Sequence, residues 1–271
     1  MFVGFNFRRL RFFQIMKNIV FKLSIALLIL IQIPTFSQRE ESLLALSQNV
    51  IPENNSSINT LKTNNNNLKM KNIGILLFNN FETLDVFGPV EIFGRLKDLY
   101  NIEFYSLEGG IVISTQNVKI LTQKLSEKDQ FDIFLIPGGM GTRKEVDHEQ
   151  MISTISGIAT SSNHVLTVCT GSALLAKTGQ INGLSATSNK RSFDWVVSQE
   201  SKVNWIKKAR WTMDGKYYTS SGVSAGMDMT LGFIRDIHGI DLARKIAYEI
   251  EYTWQENKEV DEFYLQDLKQ N

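Results

Sequence analysis

With a single cysteine in 271 residues, this chain can close no internal disulfide and build no cysteine-rich metal cage. Histidine is nearly as scarce. His148, His164 and His238 are the whole supply, and three imidazoles scattered this widely make a poor metal site. Neither sign of charge dominates: 29 Lys and Arg stand against 28 Asp and Glu, a net charge of +1, which argues against nucleic acid as the partner. No internal repeat is present. What the chain does have is 43% hydrophobic content, ample for the core of one large domain or two small ones.

The first residues read as a leader rather than as core. Lys17 and Lys22 precede an apolar run, Leu23 to Ile33, interrupted only by Ser24 and Gln32, and Pro34-Thr35-Phe36-Ser37 follows. That run is 11 residues long, whereas a membrane-spanning helix needs about 20. A basic start, a short apolar stretch and small residues at Thr35 and Ser37 form the layout of a secretory signal peptide, and the alternative is a buried helix. We expect residues 1–37 to be removed, with 1–15 an upstream-start artefact if Met16 is the initiator. No cysteine follows the run, so a lipid-anchored form is excluded. Removal leaves 24 basic against 28 acidic residues and a net charge of −4. Residues 38–69, with Asn54-Asn55-Ser56-Ser57 and Asn64-Asn65-Asn66-Asn67, read as an Asn-rich disordered linker that buries too little apolar surface to offset its ordering entropy. The expected product starts near Gln38 and is periplasmic or secreted, with no stable membrane insertion after cleavage.

The remaining domain, 70–271, is expected to fold from Met70 to about Gln255. Ile73 to Phe78, Asn101 to Leu107, Phe131 to Ile136 and Val165 to Val168 read as strands, with helices after Phe81, around Gln150 to Ser161, and after Gly171. Arg210 to Ser220 reads as a hairpin around Asp214-Gly215, and Ala225 to Ile237 and Leu242 to Ile250 as closing helices. Trp195, Trp205 and Trp211 have the spacing of core or interface aromatics. Strands alternating with helices imply an α/β fold with a mostly parallel central sheet covered on both faces, with ligands at the carboxyl ends of the strands.

The most informative stretch is Val165-Leu166-Thr167-Val168-Cys169-Thr170-Gly171-Ser172-Ala173-Leu174-Leu175-Ala176. A β-branched run stops at the lone cysteine, meets a small-residue turn and continues with helical spacing, which places Cys169 on a strand-to-helix elbow. Amides at the start of a helix favour a thiolate, so Cys169 is expected to titrate well below an ordinary thiol and to act as a nucleophile. A buried structural cysteine is the bland alternative.

Together, Leu84-Asp85-Val86-Phe87-Gly88-Pro89-Val90-Glu91-Ile92-Phe93, Ile136-Pro137-Gly138-Gly139, Val168-Cys169-Thr170-Gly171-Ser172, Ala186-Thr187 and Gly222-Val223-Ser224-Ala225-Gly226-Met227-Asp228 resemble the ThiJ/PfpI superfamily, with its class I glutamine amidotransferase-like fold, nearest its isonitrile hydratase branch. The likeness spans roughly residues 71 to 254. It implies a flavodoxin-like three-layer sandwich with a nucleophile elbow, a homodimer, and catalytic roles for Cys169, Asp85 and Thr170. It also implies an oxyanion hole from the Gly139 and Thr170 amides. On its own, Asp85 reads equally as a favourable helix-start charge, and Pro137-Gly138-Gly139 as a strand-end turn.

The sequence departs from the Cys-His relatives at Ala186-Thr187-Ser188-Asn189-Lys190-Arg191, where Asn189 and Lys190 stand in place of a histidine. A peptidase-type triad therefore lacks its base, and the other histidines read as surface or capping residues. No cofactor and no metal are expected, and no helix-turn-helix is read after residue 255. Two functions remain: a lyase that hydrates an isonitrile to an N-substituted formamide, acting on a small-molecule substrate, and a noncatalytic ligand sensor or oxidative-stress protein with an oxidisable Cys169.

Overall fold

A computed structural model describes residues 70–264; the expected leader and linker lie outside the described residues. Strand β1 (Lys71–Leu76) is followed by α1 (Thr83–Gly94), β2 (Tyr100–Ser106), β3 (Gly110–Ile113), β4 (Lys119–Lys124) and β5 (Ile133–Ile136). Then come α2 (Thr142–Glu145), α3 (Glu149–Ser161), β6 (His164–Val168), α4 (Gly171–Lys177) and the short β7 (Ser185–Ala186). After a 3-10 turn at Lys190–Ser192 the chain forms α5 (Phe193–Gln199), β8 (Asn204–Trp205), the hairpin β9 (Trp211–Asp214) and β10 (Tyr217–Ser220), α6 (Ala225–His238) and α7 (Ile240–Glu249).

Eight strands form one sheet in the order β3-β4-β2-β1-β5-β6-β10-β9. Every pairing from β4 through β10 is parallel, and the edge pairs β3–β4 and β9–β10 are antiparallel. Strands covered on both faces must be apolar throughout. Accordingly, Ile73 to Leu76, all of β5, and Val165 to Val168 are buried without a break. Helices α1, α6 and α7 pack together as one group, and α3, α4 and α5 as another, giving the three-layer flavodoxin-like architecture. Close packing demands small residues at the contacts. A Cβ on Gly226 would lie 2.7 Å from a Val168 methyl, and one on Gly232 2.9 Å from Trp211 Nε1.

From β1 the chain winds outward to β2, then returns to β5 and winds the other way. The switch point therefore falls between β1 and β5, where an open α/β sheet leaves a crevice beyond its carboxyl ends. The loops after β1, β5, β6 and β10 all converge there.

Two expectations change. The hairpin β3–β4, which no pattern marked, extends the sheet at one edge; Ile111 pairs with Leu121 on a face where both stay exposed, at 64% and 76%. An apolar pair facing outward defeats the inside-outside alternation on which strand recognition rests. The ordered chain also runs past Gln255, because Asp261 is fully buried against Arg210.

Candidate active site

Cys169 stands where β6 ends, with a φ of 57°, a left-handed backbone that non-glycine residues rarely adopt. Hydrogen bonds hold it there from both sides. Its N–H donates to the carbonyls of Ser220 and Ser221 at 3.2 and 3.3 Å, and its carbonyl accepts from Ser172 Oγ at 3.0 Å and Ser188 Oγ at 2.8 Å. Such over-determination is what lets a strained residue persist at a functional site. The thiol faces a wall without side chains, since a Cβ on Gly222 would lie 2.7 Å from its Sγ and 2.5 Å from Asn189 Nδ2.

Asp85 enters from the first turn of α1 and is completely buried. Its Oδ2 accepts the Gly138 amide at 2.9 Å. Oδ1 makes no geometrically complete hydrogen bond among the described residues, although the carboxyl and the Cys169 thiol lie within hydrogen-bonding range. Gly138 must be glycine: a Cβ there would sit 2.5 Å from Thr170 N and 2.9 Å from Asp85 Oδ2.

Burial pushes the Asp85 carboxyl well above the usual carboxylate range, against the pull of the Gly138 amide. Burial also raises the Cys169 thiol, and the neighbouring Asp85 charge raises it further; the Thr170 amide and hydroxyl pull the other way and lose. The expected low-pKa thiol is thus overturned. The helix-start amides are present, but Cys169 is only 6% exposed and its thiol lies beside a buried acid. Two neighbouring groups that each resist ionisation titrate as a coupled pair, and removing the last proton creates two adjacent buried charges.

Thr170 bridges this pair to the β5 loop. Its Oγ1 accepts the Gly139 amide at 3.1 Å and the Thr142 hydroxyl at 3.1 Å. Gly139, with φ of 122°, is packed against the backbone of Asn80 to Glu82. Its amide is therefore engaged by a hydroxyl, and of the two amides expected to hold an oxyanion, that of Thr170 is the one beside the thiol. Asn189 caps the 3-10 turn by accepting the Ser192 amide at 3.1 Å.

Two features escaped sequence reasoning. Arg143, in α2, lies within electrostatic range of Cys169 and stacks 3.6 Å from the centroid of the Trp195 ring. Behind Asn189, Lys190 is buried, donating to Ala209 O at 2.6 Å and lying 3.8 Å from Asp261.

The histidines lie apart from this cluster. His148 contacts Glu145 at 3.0 Å, His238 contacts the Tyr100 hydroxyl at 2.7 Å, and His164 begins β6 at the opposite end from Cys169. Among the described residues no three His, Cys, Asp or Glu side chains gather as metal ligands do. An open groove of about 810 Å³ between α3 and the end of α4, lined by Ser153, Ser156 and Lys177 among others, contains none of the site residues.

The DJ-1/PfpI family pattern matches residues 71–236. Isonitrile hydratase of Pseudomonas putida is 27% identical over 183 residues, 66% of this chain and 78% of that protein. The HTH-type transcriptional regulator GbdR of Pseudomonas aeruginosa is also 27% identical, over 188 residues, which are 67% of this chain but only 50% of the regulator. The crystal structure of a ThiJ/PfpI family protein from Pseudomonas syringae superposes with a TM-score of 0.61 at 22% identity, covering 68% of this chain and 76% of that one.

Proposed function

The chain belongs to the DJ-1/PfpI family, and within it we propose a cysteine-dependent hydratase acting on a small electrophilic carbon, with conversion of an isonitrile to an N-substituted formamide as the leading case. One observation carries this reading: a buried carboxyl and a buried thiol, both pushed up, lie side by side with Asp85 Oδ1 left without a complete hydrogen bond. A carboxyl whose burial favours its protonated form is suited to act as a general acid, and a thiol that loses its proton only when another group can take it is a nucleophile gated by its partner.

In this scheme the pair's proton passes through Asp85 to the terminal carbon of R–N≡C while the sulfur electron pair forms the S–C bond, giving the thioimidate R–N=CH–S–Cys169. The Asp85 carboxylate then takes a proton from water as its oxygen adds to that carbon and passes that proton to the nitrogen, giving R–NH–CH(OH)–S–Cys169. When the C–S bond breaks, sulfur leaves with the electron pair, the hydroxyl proton returns to the Asp85–Cys169 pair, and R–NH–CHO departs. The Thr170 amide steadies the charge that develops next to the sulfur. Likeness to isonitrile hydratase supports the reading. The oxidant-sensor alternative gains nothing from a thiol that is buried and raised rather than exposed and acidic.

Incubating the purified protein with an isonitrile and following formamide by mass spectrometry tests the proposal. Turnover that is abolished in Cys169→Ala and falls steeply in Asp85→Asn is expected; no turnover across a panel of isonitriles and small aldehydes would refute it. Two further proposals accompany it: export with cleavage after Ser37, checked by N-terminal sequencing of the fractionated protein, and a homodimer, checked by light scattering.

A further inference from the structure

Arg143 is the cation at this site that no acid claims. Its Nη1 donates to Thr142 Oγ1 at 3.1 Å and its Nη2 to Ser192 Oγ at 2.9 Å, both neutral hydroxyls, and among the described residues it makes no ion pair. The contrast with Arg210 is plain, since that guanidinium is paired with Asp228 at 2.7 Å and Asp261 at 3.5 Å. A guanidinium offers five N–H donors in a rigid fork. Two are engaged by the hydroxyls, and the stacked Trp195 ring, 3.6 Å away, fixes the plane in which the others lie.

Both anchors lead back to the thiol. Thr142 Oγ1 donates to Thr170 Oγ1 at 3.1 Å, and Thr170 follows Cys169 in the chain. Ser192 donates its amide to Asn189 Oδ1 at 3.1 Å, and Asn189 Nδ2 lies against Gly222 beside Cys169 Sγ. The fork thus spans from the start of α2, after the β5 loop, to the 3-10 turn. A planar, oriented, uncompensated guanidinium is suited to a carboxylate, which it can meet with two parallel hydrogen bonds. Part of the ordering needed for that contact is already present in the free protein.

We propose that Arg143 recognises an anionic group of the substrate, so that the substrate class is an electrophile bearing a carboxylate beside its reactive carbon, such as an isocyano-carboxylate. The electrophile in this statement rests on the hydratase reading; the anion rests on Arg143 alone.

The test compares Cys169 alkylation by iodoacetate, an anion, with that by iodoacetamide, its neutral counterpart, followed by mass spectrometry. In both reactions sulfur forms the S–C bond and iodide leaves with the C–I electron pair. A change in thiolate population therefore alters both rates together and cancels in their ratio. The expected iodoacetate to iodoacetamide ratio exceeds that of a free cysteine and falls about tenfold in Arg143→Gln, the loss of a charge-assisted hydrogen-bond pair. Arg143→Lys, which keeps the charge without the fork, retains part of the ratio and guards against a folding defect in the first variant. A ratio unchanged in Arg143→Gln overturns the proposal.

Hydration of isocyanoacetate and of its methyl ester separates the two readings. An alkylation ratio that depends on Arg143 without turnover of either isonitrile leaves the anion site standing and removes the hydratase. Equal turnover of both isonitriles with a ratio indifferent to Arg143 does the reverse.

Discussion

Asp85 and Asp228 occupy equivalent places, each in the first turn of a helix and each fully buried, on α1 and α6, which pack against one another. Their surroundings differ completely. Asp228 receives four donors: Arg210 Nε and Nη2 at 2.9 and 2.7 Å on one oxygen, the Tyr252 hydroxyl at 3.0 Å and the Gln255 amide at 2.9 Å on the other. Burial holds this carboxyl above the usual carboxylate range even though Arg210 pulls it down, while Arg210 itself is raised by its two acids despite its own burial. With every lone pair served and a cation in contact, the ionised form is the one this geometry suits. Asp85 has one backbone amide and a thiol. A saturated carboxylate holds structure together; an unsaturated one is left with proton affinity to use.

Removing the reactive member should cost activity and not stability. Asp85→Asn is expected to lower hydration by about 10²- to 10⁴-fold, the range for a lost general acid, with a melting temperature no lower than that of the parent at neutral pH. Cys169→Ala should abolish turnover with the fold intact. Removing the structural member should do the opposite. Asp228→Ala takes from the buried Arg210 its nearer acid and leaves only Asp261 at 3.5 Å, for which the expected loss is up to about 3–5 kcal/mol, read as a drop in denaturant midpoint. A smaller effect belongs to the glycine wall. Gly222→Ala places a methyl 2.7 Å from Sγ, and an overpacking cost of about 1–3 kcal/mol should appear together with slowed alkylation.

The smallest effect is a pH trend, and its sign follows from the raised carboxyl. Asp85 titrates higher in the folded chain than its ordinary value of 3.8, so its contribution to stability is complete below that value and is lost as pH rises through the folded pKa. Asp85→Asn does not titrate. Its stability relative to the parent should therefore improve with rising pH, as measured by chemical denaturation at several pH values.

The sequence carried much of this arrangement, and unevenly. Strands β1, β5 and β6 are continuous apolar runs, and the elbow at Cys169 is visible as the point where such a run meets Thr170-Gly171. Asp85 was found through resemblance, because an acid in a helix's first turn looks alike whether its neighbour is solvent or a thiol. Arg143 was not found at all: its partners Ser192 and Trp195 lie 49 and 52 positions away, and no local pattern joins them. The fold is expected to end about Gln255, yet Asp261 is buried through Arg210, 51 residues distant. The low thiol pKa was inferred from helix-start amides that are real. Burial and Asp85, neither of them local in sequence, reversed its sign.

The pairing of Asp85 with Cys169 is tested most directly by the pH dependence of Cys169 alkylation with iodoacetamide, in the parent chain and in Asp85→Asn. The expected midpoint in the parent lies above the ~8.5 of an unperturbed thiol and moves down once the carboxyl is gone. A parent midpoint at or below that value, or one that Asp85→Asn leaves unmoved, would contradict a proton shared between the two.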